Sequence, residues 1–118
     1  MLQYKNSKES DLARTRKIRS DCNYIIYEAV DHRGENYIGI TRKSSTVEKS
    51  VRERWRKHLS RARNENRLWD LYVYLKTGGL EHVWTHRVLE IVRGRGEAYA
   101  RERALVKTLQ PTLNSQYR

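Results

Sequence analysis

The sequence predicts a single α+β domain, on three observations. Two β-rich segments, Tyr24 to Val30 and Asn36 to Thr41, flank a polar turn that contains a glycine. Three apolar stripes recur at helical spacing further along the chain. A third β-branched run, Val83 to Val92, separates the last two of those stripes. At 118 residues the chain suits one small domain with one modest core. Lys and Arg number 25 against 14 Asp and Glu, a formal net charge of +11, which draws polyanions through the summed field. Nucleic acid is the first partner this implies, because Lys and Arg that neutralise phosphates release condensed counterions. A solubilising surface, or acidic proteins or membranes as partners, is the plainer reading of the same charge.

Other classes are excluded or made remote. Cys22 is the only cysteine, so neither an intrachain disulfide nor a paired-cysteine zinc site can form. No apolar run reaches the roughly 18 residues that span a bilayer, and MLQYKNSKES has no apolar core of the signal-peptide kind. These features fit a cytoplasmic protein with no membrane and no disulfide-linked partner.

Taken in order, residues 1–21 form a polar, basic N-terminal arm, and residues 22–118 form the domain. Arg14, Arg16, Lys17 and Arg19 of the arm are phosphate contacts, or only charge on a solvated tail. The first strand carries Tyr27. Gly34 supplies a positive φ in the turn from Asp31 to Asn36. The returning strand carries Tyr37 and is interrupted by Gly39, and a glycine there marks a close approach by backbone or ligand. A helix starts near Ser45, where Ser45 to Glu48 matches a capping box. Val51, Trp55, Leu59 and Ala62 face the core from it, and Arg54 and His58, four apart, stack on one flank. Arg52, Arg56, Lys57, Arg61 and Arg63 make the rest of the helix basic, preceded by Arg42 and Lys43.

Leu68, Leu71, Tyr72 and Leu75 form a second helical stripe that ends at Thr77-Gly78-Gly79. Trp69 and Tyr74 cover its edges. The run from Val83 to Val92 is a third strand, antiparallel to the hairpin and central or next to it. His82 and His86 lie four apart, but on a strand that spacing does not make a metal pair. A last helix runs from Glu97 to Leu109 with Ala98, Leu105, Val106 and Leu109 as its apolar stripe. Glu102 falls in the middle of that stripe. A carboxylate facing the core must be paired, hydrogen-bonded or metal-bound, so a structural ion pair and a metal ligand both fit. Gln110-Pro111 ends the helix.

Singly, these residues are unremarkable: strand tyrosines, a core-edge histidine, one more solvated arginine. Jointly, Tyr27, Tyr37-Ile38-Gly39, Arg54-Trp55-Arg56-Lys57-His58, Glu102 and Asn114 after Pro111 resemble the GIY-YIG nuclease family. The first motif stands as Ile25-Ile26-Tyr27, with Ile in place of the family's glycine. The helix is most similar to that of phage and intron-type homing members. The match covers nearly the whole chain, from residue 24 to 114. The resemblance implies a three-stranded antiparallel sheet flanked by helices, an α/β sandwich, and a divalent-metal phosphodiesterase acting on DNA.

It also implies roles. Hydrolysing a phosphodiester needs an activated water, neutralised phosphoryl charge and help for the departing oxygen. By resemblance Glu102 holds Mg²⁺ or Mn²⁺, which suits a hard cation that keeps several waters. Arg54 clamps the scissile phosphate, and Tyr27 lies by the water or metal shell. Tyr37 positions or deprotonates the water, with His58 the alternative base because its unperturbed pKa is nearer neutral. Asn114 completes the catalytic set, while Gly39 and Trp55 are structural. Some members carry a second histidine after this helix, and Asn66 or Arg67 stands near its place. Larger homing members append a DNA-reading module that this chain lacks, so relaxed sequence preference, or recognition of branched DNA, is expected. The alternatives are a non-catalytic nucleic-acid-binding domain and a phage-type interaction protein that retains the fold. For a phage-encoded protein the compartment is the host cytoplasm. Monomer and homodimer both remain open.

Overall fold

The computed structural model describes residues 22–65 and 69–114. The arm with Arg14, Arg16 and Lys17, together with Asn66, Arg67 and Leu68, lies outside the described residues. Along the chain come strands β1 (Asn23–Asp31) and β2 (Asn36–Arg42), helices α1 (Val47–Asn64) and α2 (Asp70–Lys76), and a 3₁₀ turn (Gly79–Glu81). Strand β3 (Trp84–Arg93) and helix α3 (Arg95–Leu109) complete the order.

The strands make one antiparallel sheet in the order β2-β1-β3. β1 is central because the alternation of its side chains feeds both faces. Ile25, Tyr27 and Ala29 enter a core with Trp55, Leu71 and Leu75 of α1 and α2, whereas Ile26 joins Ile38 and Val106 of α3 on the other face. The sheet is thus sandwiched between helices, an α+β fold as expected. β3, the longest β-branched run, is an edge strand and not a central one. With a neighbour on one side only, it leaves Val88 and Ile91 exposed. Its pairing with β1 slips by one residue between Ile26 and Tyr27, whose partners are Glu90 and Val88. The extra residue, Leu89, makes a bulge beside Tyr27, and such bulges re-aim nearby side chains.

Local chemistry explains the connections. Asp31 closes the hairpin: its Oδ1 accepts the N–H groups of Arg33 (3.0 Å) and Glu35 (2.9 Å), and Gly34 takes φ +87°. Its other oxygen accepts from the Tyr74 hydroxyl and lies 2.9 Å from His82 Nδ1, which ties the turn to α2 and the 3₁₀ turn. Burial alone would raise this carboxyl, but hydrogen bonds from Tyr74, His82 and the Glu35 and Arg33 amides bring it down to about 2. A carboxyl whose pKa is lower folded than unfolded stabilises above its ordinary value of 3.8 and loses that contribution as pH falls towards 2. The urea midpoint should therefore drop between pH 5 and pH 2.5 more steeply in the wild type than in Asp31→Asn. Parallel profiles would show that Asp31 gives the fold no pH-dependent stability.

Helix α1 begins one residue later than its sequence pattern indicates. Thr46, not Ser45, is the N-cap, and its hydroxyl accepts the Lys49 N–H at 3.2 Å. The expected box fails because Ser50 Oγ takes the Ser44 amide (3.1 Å) and donates to the Thr46 carbonyl (2.8 Å). These bonds draw the loop onto the first turn. In α3 the expected stripe also shifts. Leu109 is 47% exposed, because the chain turns away at Gln110 (φ 50°) and Pro111 and Leu113 take the buried positions instead.

Candidate active site

Tyr27, Tyr37, Arg54 and His58 come from β1, β2 and α1 and meet on the α1 side of the sheet. The Tyr27 and Tyr37 rings stand edge to face at 6.5 Å, and Tyr37 meets His58 in the same way at 5.5 Å. Trp55 packs against both Tyr37 and His58, at 6.4 Å and 5.7 Å. Gly39 lies opposite Tyr27 in the β1–β2 register. A Cβ there would sit 2.6 Å from the Tyr27 Cζ and Oη and 2.8 Å from the Tyr37 ring. Only glycine lets the phenol lie across the second strand. Gly39→Ala should displace Tyr27 and lower kcat by about 10- to 100-fold, with a stability loss of about 1–3 kcal/mol. A variant with unchanged turnover and melting temperature would refute the close approach.

The electrostatics separate the groups. Burial pushes the Tyr27 phenol well above its ordinary value, Tyr37 adds to this, Arg54 pulls the other way, and Tyr72 and Glu102 raise it further. Tyr27 is therefore a neutral hydroxyl at physiological pH, within reach of the charges of both Arg54 on α1 and Glu102 on α3. Burial lowers the His58 pKa, and the guanidinium groups of Arg54 and Arg61 lower it again, to about 3. The near-neutral value of an unperturbed imidazole is lost inside this core, where His58 is 1% exposed. Its Nδ1 lies 2.6 Å from the Tyr72 hydroxyl.

Three buried polar atoms have no hydrogen-bond partner among the described residues: Tyr27 Oη, Arg54 Nε and His58 Nε2. Each such atom costs about 1–3 kcal/mol unless something satisfies it. All three belong to one cluster, and an anion would satisfy the donors among them. Beside Arg54 opens a polar cavity of about 170 Å³, lined by Arg42, Ser44, Ser50, Glu53 and Lys57. Arg42 and Lys57 thus join Arg54, whereas Arg52 lines a second cavity of about 280 Å³ with Trp55, His86 and Val88. Lys43, Arg56 and Arg63 are exposed and Arg61 is half-buried.

Glu102 is 3% exposed, between the buried Ala98 and Val106 on one face of α3. Among the described residues no three His, Cys, Asp or Glu side chains converge into a metal cluster. One carboxylate nevertheless fits a hard cation that keeps most of its waters and shares them with a substrate phosphate.

Asn114 is fully buried and bonds the backbone of β2. Its Oδ1 accepts the Ile38 N–H and its Nδ2 donates to the Ile38 carbonyl, both at 2.8 Å, so the amide imitates a neighbouring strand on the outer edge of β2. That holds Tyr37 and Gly39, on either side of Ile38, in place. The two histidines of the third-strand region part company. His82 faces Asp31, while the His86 ring lies against Trp55 at 4.8 Å. Sequence reasoning placed Tyr72 in the core and missed its bond to His58. The available signal was that a buried tyrosine hydroxyl needs a partner.

A three-stranded antiparallel sheet in the order β2-β1-β3 with helices on both faces, Tyr27, Tyr37 and Arg54 on the α1 side and a buried Glu102 on α3, defines a small α+β domain. The model of the GIY-YIG catalytic domain matches residues 22–116, and the chain belongs to the GIY-YIG endonuclease family. No curated protein and no solved structure matches the chain significantly. Membership makes it a nuclease, a hydrolase whose substrate is DNA, in a family that generally uses divalent metal ions. Among the described residues no helix is long and apolar enough to cross a membrane.

Proposed function

We propose that this chain is a metal-dependent DNA endonuclease of low sequence specificity, or one selective for branched structure, that hydrolyses phosphodiester bonds with one divalent ion. The observation that carries this reading is the trio of buried atoms without a hydrogen-bond partner among the described residues, Tyr27 Oη, Arg54 Nε and His58 Nε2, of which Arg54 also lines a polar cavity with Arg42 and Lys57. A scissile phosphate placed there accepts from Arg54 Nε–H, and its flanking phosphates lie against Arg42 and Lys57. Fixed donors aimed where charge develops in the transition state cost no reorganisation during reaction.

Glu102 would hold Mg²⁺ or Mn²⁺, which supplies charge neutralisation at the phosphoryl group and a more acidic water. Tyr27, kept protonated by burial, donates its hydroxyl to the water shell or the phosphate. Tyr37 takes the part of orienting the attacking water. His58 is a poor base at about 3, so the proton acceptor is sought at Tyr37. Asn114 positions Tyr37 through Ile38. Arg14, Arg16 and Lys17 in the basic segment 1–21 would add phosphate contacts, and Lys43, Arg52, Arg56, Arg61 and Arg63 would extend the same non-specific grip. Expected partners are duplex or branched DNA and no membrane, in the cytoplasm of the cell, or of the host if a phage encodes the protein.

Supercoiled plasmid incubated with the protein and Mg²⁺ or Mn²⁺ tests this directly. Nicking or linearisation that stops with EDTA, and weakens as salt rises, is the expected outcome. Tight salt-sensitive binding without cleavage, on plasmid and on branched substrates alike, would replace this reading with that of a binding domain.

A further inference from the structure

We propose that Tyr72 is a positioning residue that fixes the tautomer of His58, holding the imidazole proton on Nε2 so that His58 meets the substrate as a hydrogen-bond donor and not as a base. The second half rests on the function proposed above. The first half rests on geometry alone.

Tyr72 and His58 are both 1% exposed, and the hydroxyl lies 2.6 Å from Nδ1. Two arrangements of protons fit that distance. In one, Tyr72 donates its O–H to the Nδ1 lone pair, and the imidazole proton sits on Nε2. Every hydrogen-bonding group of the pair is then satisfied except one, the Nε2–H. In the other, Nδ1–H donates to the Tyr72 oxygen. The Tyr72 proton then needs a second acceptor, and the hydroxyl has no hydrogen-bond partner among the described residues besides His58. That arrangement leaves two buried groups unsatisfied, the phenolic proton and the Nε2 lone pair. Buried polar groups are overwhelmingly paired, so the arrangement with fewer orphans prevails. A positively charged ring, which would donate from both nitrogens, is disfavoured by burial and by Arg54 and Arg61.

The consequence is chemical. The Nε2–H and the Arg54 Nε–H are both buried without a partner among the described residues, and the Arg54 charge acts on His58, so both ask for an acceptor in one neighbourhood. A non-bridging oxygen of the scissile phosphate supplies one. His58 therefore adds a neutral donor beside the charged one, and no proton leaves it during the reaction. α2, which also holds the hairpin turn through Tyr74, contributes to the site through this one hydroxyl.

Long-range ¹H–¹⁵N spectra of the imidazoles, with His58 assigned by its loss in His58→Gln, read the tautomer without any need for activity. The wild type should show a protonated Nε2 and an unprotonated Nδ1, and Tyr72→Phe should lose that fixed pattern. A protonated Nδ1 in the wild type, or an unchanged pattern in Tyr72→Phe, overturns the assignment. The role is read by cleavage. Gln keeps an N–H donor at the ε position, so His58→Gln should stay within about tenfold of wild-type kcat, while His58→Ala should lose about 100-fold or more. Tyr72→Phe should lose about tenfold in kcat at unchanged KM. Equal loss in His58→Gln and His58→Ala would restore His58 as a base. If the wild type does not cleave at all, the proposed function and the donor role fall together, and the tautomer is still decided by the spectra.

Discussion

Glu102→Gln should yield a folded protein that no longer cleaves DNA, with activity down by at least about a thousandfold. The substitution keeps the size and shape of a side chain that is 3% exposed, so the packing of Ala98 and Val106 around it is preserved. What is lost is the negative charge. Among the described residues no group of three or more His, Cys, Asp or Glu side chains gathers into a metal cluster, so the proposed cation site rests on this one carboxylate. Two readouts separate loss of chemistry from loss of fold. Thermal melting should stay within a few degrees of wild type, and Mn²⁺ binding followed by electron paramagnetic resonance should weaken by about tenfold or more. Retained cleavage would remove Glu102 from the centre of the site. Retained Mn²⁺ binding with lost cleavage would place the cation elsewhere and give Glu102 another part.

Arg54→Ala should cost about 10²- to 10³-fold in kcat, and Arg54→Lys should recover little of it. The physical reason is which atom faces the site. Arg54 Nε is the buried atom without a hydrogen-bond partner, and lysine has no equivalent. An ammonium restores charge but not a planar fork with a donor at that position. The substitution acts on two neighbours as well. Arg54 lowers both the Tyr27 and the His58 pKa, so its removal leaves Tyr27 still further above its ordinary value and lets His58 rise from about 3. Single-turnover measurements of kcat and KM check the first effect, and imidazole titration by NMR checks the second. Full recovery by lysine would show that bulk charge, not the guanidinium geometry, holds the phosphate.

The donor cluster also explains why residues with ordinary individual readings act together. Tyr27 is a strand residue, His58 a core residue and Arg54 a helix-flank residue. Each has a hydrogen-bonding atom turned inward and unsatisfied. A scaffold selected only for stability would pair or exclude such atoms. Under the function proposed above, a substrate phosphate accepts from the donors among them.

Much of this was written locally in the chain. The β-rich composition of Tyr24 to Val30, the Asp31–Gly34 turn and the 3.6-residue stripe of Val51, Trp55 and Ala62 depend on neighbours a few positions away, so sequence alone determined the order of the main elements. It also determined the residue types of the site, since Tyr37-Ile38-Gly39, Arg54 with His58, and Glu102 on an apolar stripe are readable as patterns. What it could not carry were bonds made across distance. The Asn114 amide meets Ile38 across 76 residues and Tyr72 meets His58 across 14. The edge position of β3 likewise depends on which strand pairs with which, and β-branched composition is the same at an edge as in a centre. Tertiary structure alone decided that Gly39 is required by the phenol lying over it, that the His58 imidazole is buried against the Tyr72 hydroxyl, and that the Asn114 amide bonds the backbone of β2. In each case the reason is the same: burial and hydrogen-bond partners are set by contacts brought together in space, and a linear pattern of side chains does not record them.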